Sequence, residues 1–419
     1  MASLLFEGEF KELSDKQCLF IRDVLEKRGF INNKVTFAPV GLAGDNYASN
    51  VKRITVEVPD GENFQMIAKI ANTIEEIRAF NSADLLFNNE STMYEEVLPM
   101  LKKLQQDAGV PDDETITYAE CYGCNTEAPN EVILLEDLKL RDFSMLDKYQ
   151  SLPNEAVKMI LKNFAILHSL SHALKKSNPQ VYNQYRNKLR DLWIETSDRP
   201  EFVMMSEQLE NNVMSIFEET EVKYKNALKG AITNMSIMTK KLTIADANSK
   251  YSVIQQGDSW TNNIMFKLQN NEITECIMID YQLSKESNPV CDILYMIFNC
   301  TDHETRSKHF YEWIDYYHEQ LDTALHYFGM KANFIYPKDQ LDADLKRYAK
   351  QYFGTAILVL SVIFRTAEEA VQIKDAMNDT DLNKMGETMS VTGLSAETVA
   401  FAKNRIIDLV NTCFELGFK

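Results

Sequence analysis

One segment, residues 255–282, constrains the fold of this chain more than any other. A loop there presents Asp258 and, five positions later, Asn263. Two short apolar runs joined by a polar Asn-Asn turn occupy residues 264–279, and Asp280 follows at once. Apolar runs on either side of such a turn predict a β-hairpin. The hairpin would bring the three side chains within a few ångströms of one another.

Three oxygen-bearing side chains in this order suit phosphoryl transfer from a metal-bound nucleotide. Asp258 would accept or orient the proton of the acceptor hydroxyl, while Asn263 and Asp280 would hold Mg²⁺ against the phosphates of ATP. The Asp-x-x-x-x-Asn spacing and the downstream Asp match the kinase pattern. The segment therefore predicts a kinase-type phosphotransferase with Asp258 as its catalytic base.

Length and charge limit the partners that such a protein can have. The chain has 419 residues, which suits two lobes or domains of ordinary size. Its formal charge of −18, with no basic patch, argues against nucleic acid and against an anionic membrane. We expect a small-molecule substrate that is neutral or cationic.

Several features favour a cytoplasmic location. The first ten residues have no basic stretch, so we expect no secretory signal. The most apolar later run, residues 356–364, is too short to span a bilayer. Seven scattered cysteines indicate thiols in a reducing compartment. Cys121 and Cys124 form a CxxC, which we interpret as ordinary thiols near a hairpin because no second pair follows at zinc spacing.

Apolar patterning predicts a strand-rich first third and a helical remainder. A Pro-Asp-Gly turn joins strands predicted at 50–58 and 64–71. The other predicted elements are helices at 14–29, 73–105, 154–175, 179–196, 199–230 and from 290 onward, and strands at 116–122 and 131–135. We therefore predict an α+β fold with a small strand-rich N-terminal lobe over residues 1–138 and a larger helical C-terminal lobe over residues 139–419.

Lys69 lies near the end of the second strand, in the sequence MIAKI. Strand alternation puts Ile67 and Lys69 on one face and Met66 and Ala68 on the other. Such a lysine can neutralise nucleotide phosphates in a cleft, although on its own it is equally well explained as a lysine that keeps its amine in water. The downstream Asp, Asn and Asp favour the functional interpretation.

A phosphate-binding lysine needs an orienting carboxylate, and the sequence NESTMYEEV offers three. Glu90 shares a helix face with aromatic residues three positions before and four positions after it, which would hold it inward. We expect Glu95 and Glu96 in solvent. Glu90 is therefore the predicted partner of Lys69.

Two other stretches are candidates for nucleotide binding. The loop GLAGDNYAS precedes the strand at 50–58, and its backbone at Asn46, Tyr47 and Ser49 would approach the phosphates. It has no GxGxxG motif, so an ordinary polar loop is the competing interpretation. The sequence LLEDL follows an apolar strand where the lobes should join. Main-chain groups at Glu136 and Leu138 would bind an adenine edge there. The alternative is that the side chains of Glu136, Asp137 and Leu138 simply face water.

Other polar residues suit supporting roles. Asp292 opens the helix after the hairpin, where it can cap the helix or brace the catalytic loop. Trp260 should pack beneath that loop. His168 and His172 are one helical turn apart, but the glutamate of HExxH is missing, so we interpret them as core histidines.

These motifs together resemble the ecdysteroid kinase-like family of insect small-molecule kinases, which is related to the choline and aminoglycoside kinases. GDNYAS, IAKI, NESTMYEEVLP, LLEDL, GDSWTNNIMF and IDYQ occur in the expected order over nearly the whole chain. The resemblance implies a bilobal protein-kinase-like fold and ATP·Mg²⁺-dependent phosphorylation of a small-molecule hydroxyl, with ecdysteroids as the namesake substrates. It also implies that Asp258 is the base, that Asn263 and Asp280 bind metal, and that Lys69 and Glu90 position the phosphates.

The chain departs from the family at Gln256, where a histidine that braces the loop is usual. We expect activity to survive because glutamine also forms hydrogen bonds, but a catalytically weak nucleotide- or steroid-binding protein is the alternative. Protein kinase activity is disfavoured. Only about a dozen residues separate Asp280 from Asp292, and no Ala-Pro-Glu ends an activation segment.

Overall fold

The computed structural model describes residues 4–41, 49–59, 61–270, 272–366, 368–372 and 393–418. A six-stranded sheet forms the N-terminal part. Its strands are β1 (Leu5–Gly8), β2 (Lys34–Pro39), β3 (Asn50–Val56), β4 (Phe64–Ile70), β5 (Cys121–Asn125) and β6 (Val132–Glu136). They lie in the order β1-β2-β3-β4-β6-β5. The β1–β2 pair is parallel and the other neighbours are antiparallel.

Helices cover both faces of this sheet. They are α1 (Asp15–Lys27), α2 (Glu75–Asn81), α3 (Ala83–Thr92) and α4 (Leu98–Asp107), with a π-helical turn (Met93–Val97) between the last two. Ser14 and Gln17 form a capping box that fixes the start of α1. Met66 and Ala68 of β4 pack in one hydrophobic cluster with α1. Alternation along β4 turns Lys69 to the opposite face, towards α3.

Helices make up most of the remaining chain. They are α5 (Asn154–Ser177), α6 (Pro179–Lys188), α7 (Leu192–Thr196), α8 (Pro200–Ser215), α9 (Val222–Leu228), α10 (Met235–Ala245), α11 (Val290–Cys300), α12 (His303–His326), α13 (Ala332–Ile335), α14 (Lys338–Ile363) and α15 (Ala396–Glu415). Every residue of α11 is buried, as expected of a helix that is apolar on all sides. Within the described ranges, no helix has both the length and the apolar character needed to cross a bilayer.

Two small sheets frame the segment at residues 255–282. Strands β7 (Phe143–Met145), β9 (Ile264–Gln269) and β10 (Glu272–Met278) form one, and the short strands β8 (Val253–Ile254) and β11 (Glu286–Ser287) form the other. β9 and β10 pair antiparallel, which confirms the predicted hairpin. The loop that carries Asp258 runs from β8 through a 3-10 turn (Thr261–Asn263) into β9. Asp280 follows β10 directly.

The predicted α+β class is confirmed, because the main sheet lies within the first third and helices dominate the rest. The lobe boundary between residues 138 and 139 stays a prediction. Several predicted elements were wrong in extent. The strand expected at 116–122 begins only at Cys121, since the Ile116 amide donates to the Gln105 side chain of α4 at 2.7 Å instead of joining the sheet.

The helices expected at 179–196 and 199–230 are each interrupted. Asp191 caps a separate short helix, α7, with its carboxylate. Residues 216–221 break the second helix into α8 and α9. Strands β1 and β2 and helix α10 have no counterpart among the predicted elements.

Candidate active site

Lys69 lies between two carboxylates that come from distant parts of the chain. Its Nζ is 2.5 Å from Glu90 Oε2 on α3 and 2.9 Å from Asp280 Oδ1 after β10. Lys69 and Glu90 are both buried. The structure thus brings together three of the residues singled out in the sequence, and one cation faces two acids there.

The pKa values of this cluster reflect burial and mutual charge. Burial disfavours the lysine cation, but the Asp280 and Glu90 carboxylates raise the pKa of Lys69 above its usual value. Burial raises the pKa of Glu90 to about 7, with the Asp280 charge adding to the rise and Lys69 opposing it. Within the described residues, Glu90 Oε1 has no hydrogen-bond partner. Lys69 therefore stays charged, whereas the pKa of Glu90 lies near neutral pH.

Both carboxylate oxygens of Asp258 accept hydrogen bonds from side chains. The Tyr295 hydroxyl of α11 donates to Oδ1 at 2.6 Å, and Asn263 Nδ2 donates to Oδ2 at 3.0 Å. Asn263 Nδ2 also donates to the Asp258 carbonyl at 2.9 Å. These bonds fix the orientation of the carboxylate before any ligand arrives.

The environment of Asp258 makes its carboxylate a stronger base than that of an exposed aspartate. Burial raises the pKa of Asp258 to about 8, and the nearby Asp280 charge adds to the rise. The hydrogen bond from Tyr295 and the charge of Lys69 oppose it. A carboxyl group tuned in this way is typical of a group that exchanges protons near neutral pH.

Gln256 connects the Asp258 loop to the segment that carries Asp280. Its Nε2 donates to the carbonyls of Ile279 and Asp280, both at 2.9 Å. Its Oε1 accepts from the Asp258 amide at 2.7 Å. The glutamine that departs from the family pattern therefore makes the kind of bracing contacts attributed to the usual histidine.

Asp292 supports the same loop from beneath. Its two carboxylate oxygens accept from the amides of Gln256 at 3.0 Å and Gly257 at 2.9 Å. His168 Nε2 lies 3.1 Å from Asp292 Oδ2, and the other nitrogen of that ring lies 2.8 Å from the Tyr317 hydroxyl. Asp292 thus braces the backbone of the loop, and His168 is a buried member of this network.

The turn at Gly257 requires a glycine. Its φ is +89°, and a Cβ there would lie 2.3 Å from the Leu283 carbonyl oxygen. Asp280 also has a left-handed backbone, with φ of 59°. A left-handed backbone at a non-glycine residue is uncommon and is often found at functional sites.

Comparison with known families identifies the group to which this geometry belongs. The model of the ecdysteroid kinase-like family matches residues 43–330, well over half of the chain. The chain belongs to the ecdysteroid kinase-like family. The match spans β3, β4 and the whole segment from Asp258 to Asp280, so the residues described above all lie within it.

Several solved structures are similar to this ecdysteroid kinase-like chain at low sequence identity. A microcompartment-associated aminopropanol kinase is 11% identical, with 96% of this chain and 99% of that chain covered and a TM-score of 0.47. The Plasmodium vivax ethanolamine kinase Pv091845 is 14% identical, with 90% and 88% covered and a TM-score of 0.42. Wild-type aminoglycoside 2'-phosphotransferase-IIIa in complex with GDP is 11% identical, with 93% and 99% covered and a TM-score of 0.43. No curated protein sequence matches the chain.

Two of the remaining predicted nucleotide contacts lie outside the described residues. Asn46 and Tyr47 fall outside them, and Ser49 is the first described residue after that gap. Glu136 ends β6, with its amide donating to the Glu120 carbonyl at 2.8 Å, and Leu138 is buried. Their roles at an adenine edge stay predictions.

The alternative for this junction, side chains that face water, does not hold for Asp137. The side chain of Asp137 does not face water, because it is buried and its Oδ2 accepts from Arg53 Nε of β3 at 2.5 Å. This ion pair joins the start of the junction to the main sheet.

The donor set suits a magnesium ion bound together with phosphates. Within the described part of the chain, no group of three or more His, Cys, Asp or Glu side chains is placed to hold a metal. Asp280 and Asn263 instead offer one carboxylate and one amide oxygen, since Asn263 Nδ2 is already engaged by Asp258. Mg²⁺ is commonly held by one or two carboxylates plus phosphate oxygens and water. The residues therefore fit the ion.

Sequence reasoning missed two residues that shape this site. Tyr295 lies three positions after Asp292, so helical spacing puts both on the side of α11 that faces the loop, and this signal was available. Asn89 precedes Glu90 and donates through Nδ2 to the carbonyls of Gln282 at 3.1 Å and Ser284 at 3.3 Å. Asn89 thus ties α3 to the chain beyond Asp280, a contact that no local pattern indicates.

Proposed function

We propose that this protein is an ATP-dependent phosphotransferase that phosphorylates a hydroxyl group of a small molecule. The observation that carries the proposal is the meeting of Lys69, Glu90 and Asp280 beside an Asp258 that two hydrogen bonds hold in place. Membership of the ecdysteroid kinase-like family supports the same activity.

In this proposal Asp258 is the catalytic base. The acceptor hydroxyl binds with its proton directed at the Asp258 carboxylate, which takes the proton as the oxygen attacks the γ-phosphate in line. The bond between the γ-phosphorus and the oxygen that bridges it to the β-phosphate breaks, and ADP leaves. Tyr295 and Asn263 keep the carboxylate in one orientation, so little reorganisation is needed when the acceptor binds. Lys69 neutralises phosphate oxygens, and Glu90 holds the lysine amine in place.

Magnesium would be held by Asp280 Oδ and Asn263 Oδ1. When bound, it would supply positive charge to the phosphate oxygens of ATP. Gln256 and Asp292 contribute indirectly, because they fix the loop and the Asp280 segment relative to each other. Asn46, Tyr47 and Ser49 would contact the phosphates, and Glu136 and Leu138 the adenine edge.

The acceptor in this proposal is a small-molecule alcohol, with an ecdysteroid or a related steroid or xenobiotic alcohol as the first candidates. A cytoplasmic location is part of the proposal. It is supported by the cysteines, because none of the seven, all of which lie in the described ranges, forms a disulfide.

The test is to incubate the purified protein with ATP, Mg²⁺ and a panel of hydroxylated steroids and other alcohols. Mass spectrometry should then detect acceptors that have gained one phosphoryl group. Phosphorylated product in an amount that depends on enzyme and Mg²⁺ is expected. Nucleotide binding without product across the whole panel would favour the alternative of a catalytically weak binding protein.

A further inference from the structure

The CxxC motif of Cys121 and Cys124 takes no part in the proposed kinase activity. It lies on β5, which forms the edge of the main sheet next to β6. In a regular strand, side chains three residues apart project from opposite faces of the sheet. Regular strand geometry would therefore keep these two thiols apart.

A β-bulge in β5 instead brings both thiols to the same face. Cys121 pairs with Leu135 of β6. Cys124 pairs with Ile133, which shares the sheet face of Leu135 because it lies two residues away. The register shifts between these two pairs, since Tyr122 is an extra residue on β5. The two cysteines therefore lie on one face, opposite side chains that also share a face.

The sulfur atoms of the pair are in contact. Cys121 Sγ lies 3.5 Å from Cys124 Sγ, and either thiol can donate a hydrogen bond to the other. A disulfide bond is about 2.0 Å long, so the two sulfurs need to approach by only about 1.5 Å to form one. Both residues are half-buried, which leaves the pair partly open to a small oxidant.

The surroundings of Cys124 assign different roles to the two sulfurs. The hydrogen bond with Cys121 and burial raise the pKa of Cys124 above its usual value. Cys124 therefore remains a protonated thiol near neutral pH. Its S–H group can donate to the Cys121 sulfur and so stabilise negative charge there. Cys121 is accordingly the sulfur that we expect to attack an oxidant first.

We propose that Cys121 and Cys124 are a modification site that forms a reversible disulfide, with hydrogen peroxide as the oxidant. The Cys121 sulfur attacks one peroxide oxygen, the O–O bond breaks, and the departing hydroxide takes the thiol proton to become water. The Cys124 sulfur then attacks the sulfenic acid at Cys121. The S–O bond breaks, and the hydroxyl leaves with the Cys124 proton as a second water. The two thiols together lose two electrons to one peroxide.

A reversible disulfide is compatible with the reducing compartment that the cysteines indicate. Disulfides in the cytosol are usually transient and serve catalysis or redox sensing, and thiols there can reduce the bond again. Neither nucleotide nor acceptor takes part in this oxidation, so it is independent of the proposed phosphotransfer. The disulfide could fail to form in an active kinase, or form in an inactive one.

Peptide mapping of the full, folded chain tests this oxidation. Trypsin cleaves after Lys103 and Lys139 and releases residues 104–139, which contain Cys121 and Cys124 and no other cysteine. The reduced protein is treated with hydrogen peroxide, denatured, alkylated and digested. The peptide should then carry no alkyl group and be two hydrogen atoms lighter than its unalkylated reduced form. Reduction with dithiothreitol before alkylation should restore a peptide with two alkyl groups.

Cys18 is the matched control in the same digest, because it is also half-buried but belongs to no CxxC. It should remain alkylated at the peroxide concentration that converts the pair. Two variants test the roles of the two sulfurs. In Cys124→Ser, dimedone should label a sulfenic acid at Cys121, whereas in Cys121→Ser the thiol of Cys124 should stay alkylated. Equal dimedone labelling in both variants would overturn the assigned roles.

Three results would overturn the disulfide itself. One is a peptide that keeps both alkyl groups at a peroxide concentration that oxidises Cys18. Another is a sulfinic or sulfonic acid at Cys121 without loss of the two hydrogen atoms, because Cys124 would then have failed to reach the oxidised sulfur. The third is a covalent dimer on a non-reducing gel in place of a bond within one chain.

Discussion

Lys69 contacts the carboxylates of both Glu90 and Asp280, whereas a cleft behind Tyr295 is lined by the Asp191–Lys285 ion pair and by Gln255 and Gln351. The buried Oε1 atoms of these two glutamines have no hydrogen-bond partner within the described residues. The first region keeps a lysine cation against two acids and has one more acidic than basic group. The second has no net charge in its lining. In the proposed function, a metal-bound nucleotide binds at the first region. The two regions thus differ in charge, and Tyr295, which donates to Asp258 and lines the cleft, connects them.

The largest effect on turnover is expected at Asp258. Asp258→Asn keeps the shape of the side chain but removes the base, so turnover should fall by about 10³-fold or more. Nucleotide affinity should change less than about threefold, because the lysine cluster is intact. Product formation by mass spectrometry and nucleotide titration measure the two quantities. Full activity in this variant would refute the assignment of the base.

Lys69→Met should disrupt the charged side alone. It removes the cation and leaves Glu90 and Asp280 facing each other, so kcat/KM for ATP should fall about 100-fold. The Tm should fall as well, since a buried carboxylate loses its partner. Affinity for the acceptor, titrated without nucleotide, should stay within about twofold. A comparable loss of acceptor affinity would show that the two regions are not independent.

Gln256→Glu should loosen the join between the loop and the Asp280 segment. A carboxylate keeps the acceptor for the Asp258 amide but cannot donate to the Ile279 and Asp280 carbonyls, so kcat should fall about 20-fold with a lower Tm. Gln256→His, which restores the donor usual in the family, is the control and should stay within about threefold of the wild type. If both variants behave alike, the hydrogen bonds of Gln256 do not matter for turnover.

Tyr295→Phe sharpens the comparison because Tyr295 belongs to both regions. The ring that lines the cleft remains, but Asp258 loses a 2.6 Å hydrogen bond. We expect kcat to fall about tenfold while KM for ATP and for the acceptor change little. Steady-state kinetics with each substrate varied in turn measure this. A rise in acceptor KM with unchanged kcat would mean that the hydroxyl binds substrate instead of positioning the base.

His172 lies outside both regions and gives the smallest effect. Burial lowers the pKa of His172 to about 3, so the folded protein keeps it neutral while the unfolded chain takes up a proton below about pH 6.5. The unfolded state therefore binds more protons, and His172 lowers the free energy of unfolding as the pH falls from 6.5 towards 3. Urea unfolding of His172→Leu between pH 7 and pH 5 should show a shallower loss, by up to about 1.4 kcal/mol per pH unit. An equal slope in wild type and variant would contradict the burial of a neutral imidazole.

The cluster of Lys69, Glu90 and Asp280 could be predicted from the sequence far better than the cleft behind Tyr295. Lys69, Glu90 and Asp280 are recognisable because each lies at a fixed place relative to a strand or helix and among apolar neighbours. Asp258 and Asn263 are recognisable by their spacing. The roles of all five stay predictions, but the structure brings the groups together.

The cleft behind Tyr295 was not predictable in the same way. Gln255, Gln351 and Trp193 are contributed by a short strand's end and two separate helices, and only tertiary packing brings them together. The same reason explains the errors in the predicted strands and helices. Residues 116–120 have the alternation of a strand. The Ile116 amide nevertheless donates to Gln105 of α4, a tertiary contact that the local sequence does not specify.

The most direct test is a crystal structure with Mg²⁺ and a non-hydrolysable ATP analogue. We predict a magnesium ion about 2.0–2.1 Å from one oxygen each of Asp280 and Asn263, with the Lys69 amine on the phosphates and the γ-phosphate facing Asp258. A nucleotide bound elsewhere, or a metal that contacts neither Asp280 nor Asn263, would contradict the assignment of this site.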